Sequence, residues 1–254
     1  MLTTQGLRKS YGGVQALRDL SFTADPGRVI GLLGPNGSGK STTINLLTGL
    51  LRPSAGTVTW RGVDIHHQLL AYQALLGYVP EEPRLYAYLT AVEYLQLVGG
   101  LRDLDDAVIT RRTERYLELF GLESDRHSPL STFSKGMRQK ILIAGALLHD
   151  PQVVIFDEPC SGLDVASTLI LRSIVRSLAA AGKTIVYSSH VLDMVEKVCT
   201  DVIILHHGEV VAQDSVERLR ELSRVASLEA VFAKLAVDDN VDAVGQAIAA
   251  VGTQ

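Results

Sequence analysis

An α/β fold is what this sequence predicts, on three observations. The runs Val29–Leu33, Val153–Phe156 and Thr184–Tyr187 are nearly unbroken apolar stretches of strand length, as expected of strands buried on both faces. Each runs into residues that carry chemistry: a glycine-rich loop, a pair of carboxylates, and Ser188-Ser189-His190. Between residues 90 and 149 the apolar period becomes helical, so strands and helices share one chain.

Taken in order, residues 2–24 hold two strand-like runs, separated at Tyr11-Gly12-Gly13 and closed by Asp25-Pro26-Gly27. They predict an antiparallel sheet beside the core. Tyr11 reads either as a half-buried strand aromatic or as a ring that stacks on a base.

The stretch Gly34-Pro35-Asn36-Gly37-Ser38-Gly39-Lys40-Ser41-Thr42 fits the pattern Gly, four residues, Gly, Lys, then Ser or Thr. Its glycines let the backbone wrap and turn N–H groups inward, making a nest for phosphate oxygens. Lys40 is placed for the β- and γ-phosphates and the Ser41 hydroxyl for Mg²⁺. Thr43–Leu50 reads as a helix whose positive end faces the phosphates. A strand before and a helix after make this a nucleotide-binding loop.

Ala55–Gly62 reads as a strand and turn, followed by His66-His67 on a helix leading to Tyr72. Adjacent histidines do not share a helix face, and neither this pair nor His206-His207 has the spacing of a metal site. Gly77–Val79 is a short strand ending in a proline-bounded loop with Glu81. Thr90 and Glu93 form a capping box, and Leu101–Gly121 continues as one charged amphipathic helix with Tyr116, Leu117 and Phe120 inward. Ser134 caps a further helix through Ile141–His149, so residues 86–148 read as an inserted α-helical subdomain.

The strand Val153–Phe156 delivers Asp157 and Glu158 at its carboxyl end, where a metal beside a phosphate loop needs an acid. Asp157 is the metal candidate; Glu158, one residue on, is the candidate to polarise an attacking water. His190, at the end of the next buried strand, is placed to hydrogen-bond the γ-phosphate. Strands over Asp201–Leu205 and Glu209–Ala212 and a helix over Ser215–Leu222 close the core. Leu228, Val231, Phe232 and Leu235, then Val241, Val244, Ile248 and Val251, predict a helical extension over 223–254 beyond a 1–222 nucleotide-binding domain.

Bulk properties exclude several classes. The formal charge of −4, from 24 basic and 28 acidic residues, gives a nucleic-acid surface no support. Two cysteines, Cys160 and Cys199, are too few for a disulfide framework. No apolar run approaches the ~18 residues that span a bilayer, and no basic-then-apolar leader opens the chain. The expectation is a chain that stays in the cytoplasm without crossing a membrane. A guanine-reading Asn-Lys-x-Asp and a kinase His-Arg-Asp loop are both missing.

Together these motifs, in this order over nearly the whole chain, resemble the ATP-binding cassette family of transport ATPases. The resemblance implies a P-loop NTPase (RecA-like) core with an N-terminal antiparallel β subdomain and the helical insert. It matches Tyr11 to the adenine-stacking aromatic, Gly34–Thr42 to Walker A, and Val153–Glu158 to Walker B with its general base. Ser134-Lys135-Gly136-Met137-Arg138-Gln139 sits at the LSGGQ signature, Ser161-Gly162-Leu163-Asp164 at the D-loop and His190 at the switch histidine. Lys135 stands where glycine is common, and this variant resembles the drug- and ion-exporter branch. Glu81 stands where the family usually has Gln; its carboxylate still offers oxygen to Mg²⁺. Cys160 replaces a common Thr and reads as a small packed residue.

The implied function is ATP hydrolysis driving a membrane transporter, with ATP and Mg²⁺ as cofactors. Two cassettes, identical or pseudo-symmetric, face head to tail, so that Ser134, Lys135, Gly136 and Asp164 of one meet the nucleotide held by the other. A separate transmembrane permease docks between the helical subdomain and the Glu81 loop, which places the chain peripherally on the cytoplasmic face of the cell membrane. A soluble assembly or repair ATPase of the same family is the alternative.

Overall fold

In the computed structural model, which describes residues 1–223 other than Pro83 and Val191, the chain begins with a hairpin. Strands β1 (Leu2–Tyr11) and β2 (Val14–Ala24) pair antiparallel across the Gly12-Gly13 turn. Strand β3 (Val29–Leu33) then runs through the phosphate-loop stretch into helix α1 (Lys40–Leu47). Next come β4 (Ala55–Trp60), the two-residue β5 (Val63–Asp64), α2 (Leu69–Ala74) and β6 (Leu76–Val79). Helices α3 (Ala91–Gly100), α4 (Asp106–Phe120) and α5 (Lys135–Leu147) follow. The chain re-enters the sheet with β7 (Val153–Asp157), α6 (Val165–Ala180), β8 (Thr184–Ser188) and α7 (Leu192–Val198). Strands β9 (Asp201–His206) and β10 (Glu209–Ser215) and helix α8 (Val216–Ser223) complete the described residues.

The strands join in the order β5-β4-β1-β2-β10-β9-β3-β8-β7-β6. β9, β3, β8, β7 and β6 are mutually parallel, whereas β1, β2, β4 and β5 are antiparallel. The two parts meet at a narrow seam where Glu209 pairs with Asp19, reinforced by an Arg18–Glu209 ion pair. The central parallel strands are buried on both faces, and their side chains alternate between two cores. Leu33, Val154, Phe156, Ile185 and Tyr187 pack with Leu142, Leu171 and Val195 of α5–α7. Ile30, Leu32, Ile155 and Val186 pack with Ile44 and Leu47 of α1 and with Leu17, Leu20 and Phe22 of the hairpin. Each fully buried side chain of this kind contributes about 1.5–3 kcal/mol. Sequentially adjacent residues of one strand therefore anchor different layers, and the strand ends between them are held from both sides.

Three local expectations change. The loop Gly-Lys boundary is also a helix boundary: α1 begins at Lys40 and ends at Leu47, earlier at both ends than Thr43–Leu50. His66 and His67 lie in a turn, because the Asp64 carboxylate accepts the His66 backbone N–H (2.8 Å) and holds the chain out of a helix until Leu69. Leu101–Gly121 is not one helix. α3 stops at Gly100, Asp105 caps a new helix by accepting from the Ala107 N–H (2.9 Å), and Arg102 in the break donates to the carbonyls of Gln73 and Leu76. The apolar pattern of Leu228–Val251 lies outside the described residues.

Candidate functional site

Strands β3, β7 and β8 lie side by side and parallel, so their carboxyl ends open onto the same crevice. Beyond β3 the loop wraps over the start of α1, whose N-terminus points its free N–H groups into a cavity of about 590 Å³. Gly39 takes φ 108°, and a Cβ there would lie 2.7 Å from the Ala16 carbonyl oxygen. Only glycine allows the loop to pass this close to β2.

The cavity is lined by Gly34, Pro35, Asn36, Gly37, Gly39, Lys40, Ser41, Thr42, Glu81, Asp157, Glu158 and His190, together with Ala16. Residues from five separate parts of the sequence are thus brought together. Ser38 is buried beneath the loop, its backbone accepting from Gly208 (3.0 Å) and its hydroxyl without a protein partner. Lys40 is 8 % exposed, and its ammonium donates to the carbonyls of Gly34 (2.6 Å) and Pro35 (3.1 Å). Burial pulls the Lys40 ammonium below its ordinary pKa, against the opposing pull of Glu158, Asp157 and Glu81.

The acidic wall is asymmetric. Asp157 ends β7 and accepts a short hydrogen bond from the Ser188 hydroxyl on β8. Burial raises its carboxyl above the usual range despite that bond, and the carboxylates of Glu158 and Glu81 push in the same direction. Glu158 lies just past the strand at φ 45°, a left-handed conformation that is costly for a residue with a Cβ. Its N–H donates to the Ser188 carbonyl (3.1 Å), and its Oε2 lies 2.8 Å from His190 Nδ1 and 3.2 Å from the His190 N–H. The turn reverses the carboxylate away from β7 and fixes it against His190.

The donor set here is hard oxygen: the Ser41 hydroxyl and the carboxylates of Asp157 and Glu81 line the same cavity as a cationic lysine. It fits Mg²⁺, which prefers oxygen and keeps much of its shell for water and phosphate. Among the described residues no three His, Cys, Asp or Glu side chains converge to hold an ion by themselves. The chemistry available is phosphate binding beside a metal, with a carboxylate placed to accept a proton from water.

Other predicted residues lie elsewhere. Tyr11, at the tip of the β1–β2 hairpin, is 48 % exposed, has the Lys9 ammonium 5.2 Å from its ring centroid, and does not line the cavity. Ser134 caps α5 by accepting from the Met137 N–H (3.2 Å). Lys135 donates to the Ser161 hydroxyl (2.8 Å), and Asp164 caps α6 by accepting from the Ser167 N–H (2.6 Å). None of Ser134, Lys135, Gly136 or Asp164 lines the cavity of its own chain. Cys160 is half-buried with Sγ 3.2 Å from the Tyr187 hydroxyl, and burial raises its thiol pKa. Sequence reading missed Ser188 and Ala16. Ser188 stood in the quoted run before His190, but only the register Asp157↔Ser188 gives its hydroxyl a purpose; Ala16 carries no sequence signal.

The ABC transporter family matches residues 17–161. The ABC transporter ATP-binding protein NatA of Bacillus subtilis (strain 168) is 40% identical over 220 residues, covering 86% of this chain and 89% of that protein. A solved ATP binding subunit of an ABC transporter superposes with a TM-score of 0.86 at 34% identity, over 92% of this chain and 98% of its own. The cassette MJ0796, solved as a dimer in a post-hydrolysis state bound to ADP and Pi, shares the fold with a TM-score of 0.78 at 24% identity, over 85% and 98%.

Proposed function

The chain belongs to the ABC transporter family as an ATP-binding subunit that hydrolyses ATP in support of transport, and from that premise we propose how its residues do so. Two identical copies stand head to tail, and each nucleotide is completed by both. The observation that carries this reading is the separation just described. The cavity gathers the loop from Gly34 to Thr42 around buried Ser38 with Glu81, Asp157, Glu158 and His190, while Ser134, Lys135, Gly136 and Asp164 of the same chain do not line it. A helix N-terminus offers its free N–H groups to an anion, and the nucleotide that meets α5 is, in this reading, another copy's.

In the closed pair the loop N–H groups and Lys40 hold the β- and γ-phosphates, and Tyr11, exposed outside the cavity lining, stacks on the adenine where the base projects from it. Ser41, Asp157 and Glu81 hold Mg²⁺, which supplies charge neutralisation along the phosphates. Glu158 accepts the proton of the attacking water, held in place by its bond to His190 (2.8 Å). His190 in turn reads the γ-phosphate, so its contact with Glu158 ties the state of the nucleotide to the state of the base. Ser134–Gly136 of the second copy closes over the γ-phosphate and excludes water, and Asp164 meets the opposite loop. ATP favours closure and ADP does not, because only the γ-phosphate bridges the copies.

The permease takes the groove of about 470 Å³ between the end of α3, α2 and β6, which exposes Leu50, Leu70 and Leu101. Strand β6 leads from that groove to Glu81 in the cavity, a short rigid path for motion. No described helix is long and apolar enough to cross a membrane. In this reading the spanning part is that second protein, and this chain sits against the cytoplasmic face of the membrane. The Ser134–Gln139 stretch resembles the exporter branch of the family and supports export as the direction of transport.

Mixing variants tests the pairing. A Lys40→Ala copy and a Ser134→Arg copy are each inactive alone; mixed, one of the two composite sites is intact, and a fraction of hydrolysis returns. If the mixture stays as dead as its parts, the shared site is wrong.

A further inference from the structure

The start of α5 and the 161–164 loop are held to one another by the Lys135 side chain. Lys135 is the first residue of α5, and its ammonium donates to the Ser161 hydroxyl at 2.8 Å. Its aliphatic stem lies across Gly162: a Cβ on Gly162, which sits at φ 80°, would come within 2.4 Å of Lys135 Cδ. Beside it, a Cβ on Gly136 would meet the Gly162 carbonyl oxygen at 3.4 Å, so the two backbones leave room for little more than a methyl group between them. From Ser161 the path inward is one hydrogen bond long, because the Ser161 N–H donates to the Glu158 carbonyl (3.0 Å). The Leu163 N–H donates to the Cys160 carbonyl (3.1 Å), closing the same loop on itself.

We propose that Lys135 is a positioning residue: a strap from the first turn of α5 across Ser161 and Gly162 that fixes the loop carrying Glu158. A helix N-terminus moved by contact with another copy's phosphate then moves the 161–164 loop with it, and through that loop the general base of its own chain. The inference deepens the paired reading above and rests on it for its consequence, although the strap itself lies within one chain. A glycine at position 135 leaves the turn and the loop free to move apart.

Amide hydrogen exchange on the full chain without nucleotide reads the strap before any pairing, with the Leu163 amide as reporter. Lys135→Met keeps the stem and removes the ammonium; Ser161→Ala removes the acceptor. Each is expected to raise exchange at Leu163 by about two- to five-fold, the range of a single exposed charged hydrogen bond. The double variant is expected to go no further than the larger single effect, and Lys135→Arg to stay near the natural chain. In steady-state hydrolysis, Lys135→Met and Ser161→Ala should lower kcat with little change in KM. Unchanged Leu163 exchange in Lys135→Met, or effects of the two changes that multiply, would overturn the strap. Unchanged exchange with hydrolysis still lost would assign Lys135 to the opposite nucleotide alone. Failure of an ATP-bound Glu158→Gln protein to pair would break the dimer reading while leaving the exchange result standing.

Discussion

The phosphate cavity and the outward face of α5 are built on opposite principles. Around the cavity, Lys40, Asp157 and Glu158 are buried and bonded to the fold: Lys40 to loop carbonyls, Asp157 to Ser188, Glu158 to His190 and to β8. Burial makes those bonds obligatory, since an unpaired buried charge costs several kcal/mol. On the outward face, Ser134, Lys135 and Asp164 are exposed and bonded only to each other's neighbourhood. The first region is organised by folding alone. The second is organised by folding only as far as a helix cap and a strap, which leaves its N–H groups available to something outside the chain.

The largest effect expected from this contrast is at Glu158. Glu158→Gln keeps the size and the hydrogen bonds but removes the proton acceptor. Phosphate release should fall by about 10²–10⁴-fold with ATP binding intact, and ATP should hold the copies together. Normal turnover would take the base role from Glu158.

Next is Ser134→Arg, which blocks the outward face without touching the cavity. Hydrolysis should drop about 10²-fold, the scale of losing a preorganised donor set, while nucleotide affinity of the single copy stays within about two-fold. Wild-type hydrolysis would mean that the outward face takes no part.

A smaller effect probes the joint between the two regions. Just past the far end of α5, His149 has Nε2 3.1 Å from the Leu76 carbonyl, on the strand that leads to Glu81. Burial, aided by the nearby Arg102 and Arg112 and opposed by the Leu76 bond and Asp150, pulls its pKa from 6.5 to about 4. Between those values the unfolded chain binds a proton that the folded chain refuses, so stability is full above about pH 6.5 and declines as pH falls toward 4. His149→Gln should flatten that decline in melting temperature between pH 7 and pH 5; an unaltered slope would place the acid sensitivity elsewhere.

The smallest effect separates two roles of Asp164. Its carboxylate lies below the ordinary range because the Ser167 N–H donates to it. Asp164→Asn keeps a cap and should leave the melting temperature nearly unchanged, whereas Asp164→Ala should lower it slightly. If hydrolysis follows the melting temperature across both variants, Asp164 is a cap and nothing more.

Much of the cavity was legible as pattern. Apolar runs long enough for one strand, each followed by a chemically loaded turn, marked Gly34–Thr42, Asp157, Glu158 and His190 before any coordinates. The capping box of Thr90 and Glu93 was legible for the same reason, since both partners lie within one turn. The break at Leu101–Asp105 was not. The apolar spacing runs through it, and what stops the helix is Arg102 reaching Gln73 and Leu76, some 26–29 residues away in sequence. His66 and His67 failed differently, to a side-chain-to-backbone bond from Asp64 that competes with helix formation over two residues.

What the sequence settled by itself is therefore local: which residues sit at strand ends, which cap helices, and which family the chain resembles. Those follow from periods of two and 3.6 residues and from bonds that close within a turn. Only the tertiary structure decided that Ser188 faces Asp157, that Tyr11 lies off the cavity, and that Lys135 reaches Ser161. Each of those depends on register between distant segments, and register is fixed by how the two cores pack against the sheet between them.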